Sequence, residues 1–155
     1  KNFSKDSELY IQNSYNLLNP TFDVNLTEFC LATNVKFQAH SPLAFGTLTG
    51  KYQFDNLPIN SRRYKYKNYF DRYLTKRSKI LIDKLLDFCK NNRIDLIEIS
   101  YRYLLNNSAL SEIILGCKNT HQLNYALKAI NKGPLTRELY NEVFKMVSEN
   151  PISAW

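Results

Sequence analysis

The chain has 155 residues, 44% of them hydrophobic, and a net charge of +7 at pH 7. That length suits one ordinary domain with a real core, and the even spread of Leu, Ile, Phe and Tyr excludes a disordered or low-complexity chain. No apolar run approaches the roughly 18 residues of a membrane-spanning helix, and the start, "KNFSKDSELY", lacks the apolar centre of a signal peptide.

In chain order, "LYIQNSYNLL" (9–18) is rich in strand formers and stops at Asn19-Pro20, which predicts a strand followed by a turn. Residues 23–34 carry Val24 and Phe29 at a roughly helical spacing and end at Asn34, a suitable C-cap. "VKFQAH" (35–40) alternates as a strand with Val35, Phe37 and Ala39 on one face. Strand, helix and strand joined by short connections form the pattern of a parallel βαβ unit.

"AHSPLAFGTLTGKY" (39–52) follows, placing Gly46 and Gly50, two of only 4 glycines, directly behind that strand. Residues 53–74 are basic and tyrosine-rich without a clear period, so they read as a long loop or lid. The run "SRRYKYKNYFDRYLTKRSK" (61–79) interleaves tyrosine with Lys and Arg, which suits either an RNA-binding surface or a solvated loop and helix start.

From Thr75 onward Ile80, Leu81, Leu85, Phe88 and Cys89 predict an amphipathic helix. "NNR" breaks it, and Asp95 can cap a second helix carrying Leu96, Ile99, Tyr103, Leu104 and Leu105. "SEIILG" (111–116) is a short strand, "NTHQLNYALKAI" (119–130) a helix capped by Asn119 or Thr120, and "KAIN" a brief strand. The last helix has Thr136 as cap and Leu139, Val143 and Met146 or Val147 as its apolar face. Cys30, Cys89 and Cys117 are far apart and form no C-x-x-C pair, which favours a reducing compartment, most simply the cytoplasm.

Four segments, in order and at matching spacing, resemble the aldo-keto reductase family: "IQNSYNLLNP", "VKFQAHSPLAFGTLTGKY", "SEIILGCKNTHQLNYALKAI" and "PLTRELYNEVF". Within that family the chain is similar to the subgroup of bacterial Tas-type reductases and potassium-channel β-subunits. The resemblance implies an α/β fold, the C-terminal half of a (β/α)8 TIM barrel with about four β/α units, in a single region over 1–155. A whole barrel takes about 250 residues. The family's catalytic Asp, Tyr, Lys and His lie on earlier strands, so no catalytic residue and no metal ligand is assigned here.

The resemblance also implies NADPH as cofactor and a small-molecule carbonyl substrate, an aldehyde or ketone reduced to an alcohol. By the same resemblance Gln12 meets the nicotinamide carboxamide. His40 stands where relatives stack Tyr or Trp on the ring. Ser41, Pro42, Leu43, Ala44, Phe45 and Gly46 form the loop around the pyrophosphate, where glycine lets backbone N–H groups approach an anion. Lys51, Arg62 and Lys118 meet phosphates, with Arg63 a substitute for Arg62. Gly116 lets the chain turn beneath the cofactor, and Gln122 matches the family glutamine. Three cations favour NADP over NAD.

Tyr125 and Ala126 replace the Glu-Asn pair that meets adenine and ribose in many relatives. Two alternatives remain beside the reductase: a non-enzymatic NADP(H)-binding regulatory or scaffold relative, and, more weakly, an RNA-binding module. A half-barrel leaves open strand edges, so an N-terminal half-barrel or a second copy is the expected protein partner. Membrane and nucleic acid are not expected partners, and the C-terminal Trp155 is left between substrate contact and packing.

Overall fold

The computed structural model describes residues 8–24, 26–51, 64, 66 and 71–149. Most of the 53–74 loop, Arg62, Arg63 and Trp155 lie outside the described residues. Strand β1 (Tyr10–Ser14), helix α1 (Leu26–Thr33) and strand β2 (Lys36–His40) come first. Helices α2 (Lys76–Asn92) and α3 (Leu96–Leu104), strand β3 (Leu110–Ile113) and helices α4 (Thr120–Asn131) and α5 (Arg137–Glu149) follow. The strands form one parallel sheet in the order β1-β2-β3. This is the βαβ progression of a partial (β/α)8 barrel, with three strands among the described residues.

β1 is shorter than the apolar run that predicts it. Past Ser14, the Asn16 and Asn19 backbones bond each other at 3.2 and 2.9 Å, and the Asn16 side chain accepts the Leu18 N–H at 3.0 Å. Asparagine side chains compete for backbone partners in this way and reverse the chain. Tyr15, Leu17 and Leu18 are therefore buried in the core beside the sheet instead of extending it.

α1 also corrects an expectation. Val24 and Phe29 are 66% and 48% exposed, whereas Cys30 is 2% exposed. Leu26 and Cys30, four residues apart, lie on the same side of the helix and make its core contact. Asn34 does close the helix, at φ 55. In α2 the inward stripe is Ser78, Leu81, Ile82, Leu85, Phe88 and Cys89, and Ile80 faces solvent.

The predicted caps Asp95 and Asn119 accept the Glu98 N–H at 2.8 Å and the Gln122 N–H at 2.9 Å. Thr75, where the helical pattern was expected to begin, also caps α2, accepting the Ser78 N–H at 3.1 Å. Thr136 accepts the Leu139 N–H at 3.4 Å. "KAIN", expected as a brief strand, is the last turn of α4, because the i, i+3 pair Ala126 and Ala129 packs on Tyr101 of α3.

Alternation along the strands divides the sheet into two faces. Phe37 and Ala39 of β2 are fully buried beneath the helices, with Ile11, Leu110 and Ile113 packed beside that core. Tyr10, Gln12 and Ser14 of β1, Lys36, Gln38 and His40 of β2, and Glu112 of β3 are directed to the other face. In a barrel the helices lie outside, so this second face looks into the lumen.

Candidate functional site

The C-terminal ends of the parallel strands bring most of the sequence-predicted residues together. Ser14 is in register with His40, and Gln12 with Gln38, so Gln12 lies one layer below His40 on the open face. Gln38 pairs in turn with Glu112, and its amide donates to that carboxylate at 2.7 Å. Beyond β3 come Gly116 and then Lys118 and Gln122 at the start of α4, all exposed. Active sites of barrels are assembled at this end.

His40 is half-buried, and its Nδ1 lies 3.0 Å from the Ser41 hydroxyl. Burial, followed by the positive charge of Arg72, holds the imidazole below its ordinary pKa. The shift favours the neutral ring.

The turn behind His40 is strained. Ser41, Ala44 and Phe45 have φ of 56, 46 and 57°, and Gly46 has φ of 91°. Only the glycine adopts this region without cost, since a side chain there costs roughly 1–2 kcal/mol. Such strain gathers at binding sites. Pro42 and Ala44 are buried, and Leu43 packs on both apolar clusters. Two backbone donors of the turn are used internally: Ala44 N–H donates to the Ser41 carbonyl at 2.9 Å and Gly46 N–H to the Leu43 carbonyl at 2.8 Å.

Gly116 makes no use of a glycine's left-handed freedom. Its φ is not left-handed, and an added Cβ would meet nothing within 4 Å. What this glycine provides is open space. Gln122 accepts the Lys118 N–H at 2.9 Å, so its side chain closes the turn into α4. Lys51 is exposed just past Gly50, whose φ is 71°. Tyr125 donates its hydroxyl to Asp95, and Ala126 is buried between α4 and α3.

The structure adds residues that no motif announced. The 3-10 turn Asp71–Tyr73 folds back over the strand ends, where the Tyr73 hydroxyl lies 2.8 Å from Ser14 Oγ. Asn16 donates to the Ser41 carbonyl at 3.0 Å and to Tyr73 at 3.4 Å. Arg72 stands over the Phe45 ring, 5.1 Å from its centroid, and 5.7 Å from that of Tyr73. The only sequence signal for Arg72 was its place in a run of many cations. Among the described residues no group of His, Cys, Asp and Glu could hold a metal ion, and no helix is long and apolar enough to cross a membrane.

Comparison with known proteins agrees with this geometry. The chain is 28% identical over 121 residues to Protein tas of Escherichia coli strain K12, covering 78% of this chain and 35% of that protein. It is 30% identical over 114 residues to a probable voltage-gated potassium channel subunit beta of Oryza sativa subsp. japonica, covering 72% of this chain and 35% of that protein. Among solved structures, the glycerol dehydrogenase of Gluconobacter oxydans shares the fold at a TM-score of 0.68 and 19% identity, over 93% of this chain and 43% of that one. The chain therefore spans well under half the length of these relatives. The family model described as "Aldo/keto reductase family" matches residues 5–147. With that match over most of its length, and with three parallel strands aiming their C-terminal ends at one mouth, the chain belongs to the aldo-keto reductase family.

Proposed function

We propose that this chain is the cofactor-binding half of an NADPH-dependent aldo-keto reductase that reduces an aldehyde or ketone to an alcohol. Membership of an oxidoreductase family supports the reaction class. The observation that carries the reading is the convergence of Gln12, His40, the strained turn 41–46 and the 116–122 segment at one end of one sheet.

When bound, NADPH supplies the hydride for the carbonyl carbon. The chain's part is to hold and orient. A neutral His40 offers a flat, uncharged ring for stacking, and Gln12 offers an amide to a carboxamide. Gly116 borders open space. Lys51, Arg62 and Lys118 supply charge suited to a 2′-phosphate. The proton donor belongs to the N-terminal half of the barrel, joined in the same polypeptide or supplied by a partner. Three cysteines without a disulfide support a cytoplasmic setting.

One observation favours a second reading. Position 126, where many relatives place an Asn, is turned into helix packing, so one adenine contact is missing. Together with the likeness to a channel β-subunit, this suits a relative that binds NADP(H) without turnover.

Fluorescence titration of NADPH into the complete natural polypeptide, followed by reaction with 4-nitrobenzaldehyde, separates the two readings. The reductase binds and oxidises NADPH, while the regulatory relative binds it without turnover. Failure to bind NADPH overturns both. Gln12→Ala weakens binding about fivefold, the effect of one hydrogen bond worth roughly 1 kcal/mol.

A further inference from the structure

We propose that Glu112 is a docking residue of the lumen face, pairing with a lysine or arginine that the N-terminal half-barrel brings when it closes over this sheet. The proposal rests on the reading of the chain as one half of a barrel and deepens it by naming the chemistry of the partner surface. It does not depend on the cofactor.

The first observation is how Glu112 reaches that face. Phe37 is in register with Leu110, but Gln38 is in register with Glu112 and Ala39 with Ile113, so Ser111 is passed over between the first two pairs. An unbroken register would set Glu112 opposite Ala39, which is fully buried beneath the helices. A shift of one residue exchanges the two faces of a strand, and irregularities of this kind re-aim side chains. Here the shift turns Glu112 to the open face and lets Ile113 pack beside the core.

The second observation is the charge left on that face. In the row nearest the start of the strands, Lys36 bonds Glu8 and stands 5.6 Å from the Tyr10 ring centroid, so its charge is already met. At the other end Ser14 lies opposite His40, whose neutral ring is favoured. The middle row is Gln12, Gln38 and Glu112. There the Gln38 amide donates to Glu112 Oε2 at 2.7 Å, and among the described residues no cation lies within ion-pair distance of this carboxylate. The face therefore carries one negative charge without a counter-charge.

Closure makes that charge matter. The interior of a (β/α)8 barrel is filled with side chains, so completing it takes the middle row out of water. A carboxylate removed from water is strongly disfavoured unless a cation meets it, and one amide bond does not replace that charge. The chain spans well under half the length of its relatives, so the facing strands come from the other half of the barrel. A second copy of this segment fits less well, because it would add another Glu112 and a Lys36 already engaged by Glu8.

The test is a crystal structure of the complete natural polypeptide, followed by urea melts of variants. In the wild-type crystal a Lys or Arg nitrogen from outside residues 1–155 is expected within about 4 Å of the Glu112 carboxylate. Glu112→Gln leaves that cation buried without its partner and is expected to lower the urea midpoint by about 1 M. The loss should persist in high KCl, since a buried pair is little screened. Glu112→Lys combined with the reverse change at the cation seen in the crystal should recover part of the midpoint that either change loses alone.

A wild-type carboxylate that meets only water, backbone or neutral side chains overturns the pairing, as does a cation supplied by a second copy of this segment. The crystal structure needs no variant to fold. Full stability of Glu112→Gln also overturns it. NADPH titration of the same wild-type protein reads the reductase proposal separately: binding without the pair leaves that proposal standing, and the pair without binding leaves the docking residue standing.

Discussion

Asp23 is the most consequential single residue outside the candidate site. Its carboxylate accepts the Tyr15 hydroxyl at 2.5 Å, the Tyr103 hydroxyl at 2.9 Å and the Asn107 amide at 3.0 Å. These bonds tie the segment after β1 to α3 and to the loop before β3. Burial raises the Asp23 pKa above the ordinary carboxylate range, and the three hydrogen bonds only partly oppose it. The folded protein thus holds a proton on Asp23 more tightly than the unfolded chain does. Stability from this group is fullest below the unfolded pKa and falls as pH rises through the folded value. Urea melts from pH 3 upward should show that decline, and Asp23→Asn should flatten it. Asp23→Ala leaves two phenols and an amide without their acceptor, so a loss of about 2–4 kcal/mol is expected in the same melts.

At the scale of elements, helix ends decide more than propensity does. Asp95 caps α3 through the Glu98 N–H and also accepts the Tyr125 hydroxyl of α4. Asn119 makes only the cap of its own helix. Asn119→Ala should cost about 1 kcal/mol, the usual worth of an N-cap. Asp95→Ala should cost more, and a double mutant with Tyr125→Phe should show that the excess belongs to the helix–helix contact. A second fastening joins α3 to the 132–134 turn. Arg102 bonds Glu98 at 2.9 Å and the Gly133 and Pro134 carbonyls at 3.0 Å each, while Lys132 bonds the other Glu98 oxygen. Burial opposes the Glu98 charge, but the Lys132 and Arg102 bonds outweigh it and hold the carboxyl below its ordinary pKa.

For the whole molecule, the sheet decides behaviour. Among the described residues β1 and β3 are its two edges, and the lumen face carries Gln12, Gln38 and Glu112 in one row. Open edges of a parallel sheet invite further pairing. The 155-residue chain alone should therefore self-associate with increasing concentration in sedimentation velocity, and the complete polypeptide should not. A monodisperse monomer of the isolated chain that binds no hydrophobic dye would show that these edges need no partner.

Most of the elements and the caps Asp95 and Asn119 were legible in the residues themselves, because each depends on neighbours close in the chain. Asp95 and Asn119 sit three residues before the N–H groups they accept. The grouping of Gln12, His40 and the 41–46 turn was legible only through family likeness, since single polar residues at strand ends have no pattern of their own. Other features depended on packing between distant segments. Phe29 and Cys30 are adjacent, and which of them turns inward is set by the core that α1 meets. "SYNLL" has strand-forming residues, yet Asn16 and Asn19 turn it inward. Asp23 meets Tyr103 and Asn107 across 80 and 84 residues, and Ser14 meets Tyr73 across 59. Local sequence determined where helices and strands begin. Tertiary structure alone decided which faces they bury, which side chains share the mouth and where Arg72 stands, because those outcomes depend on contacts that exist only after the chain has folded.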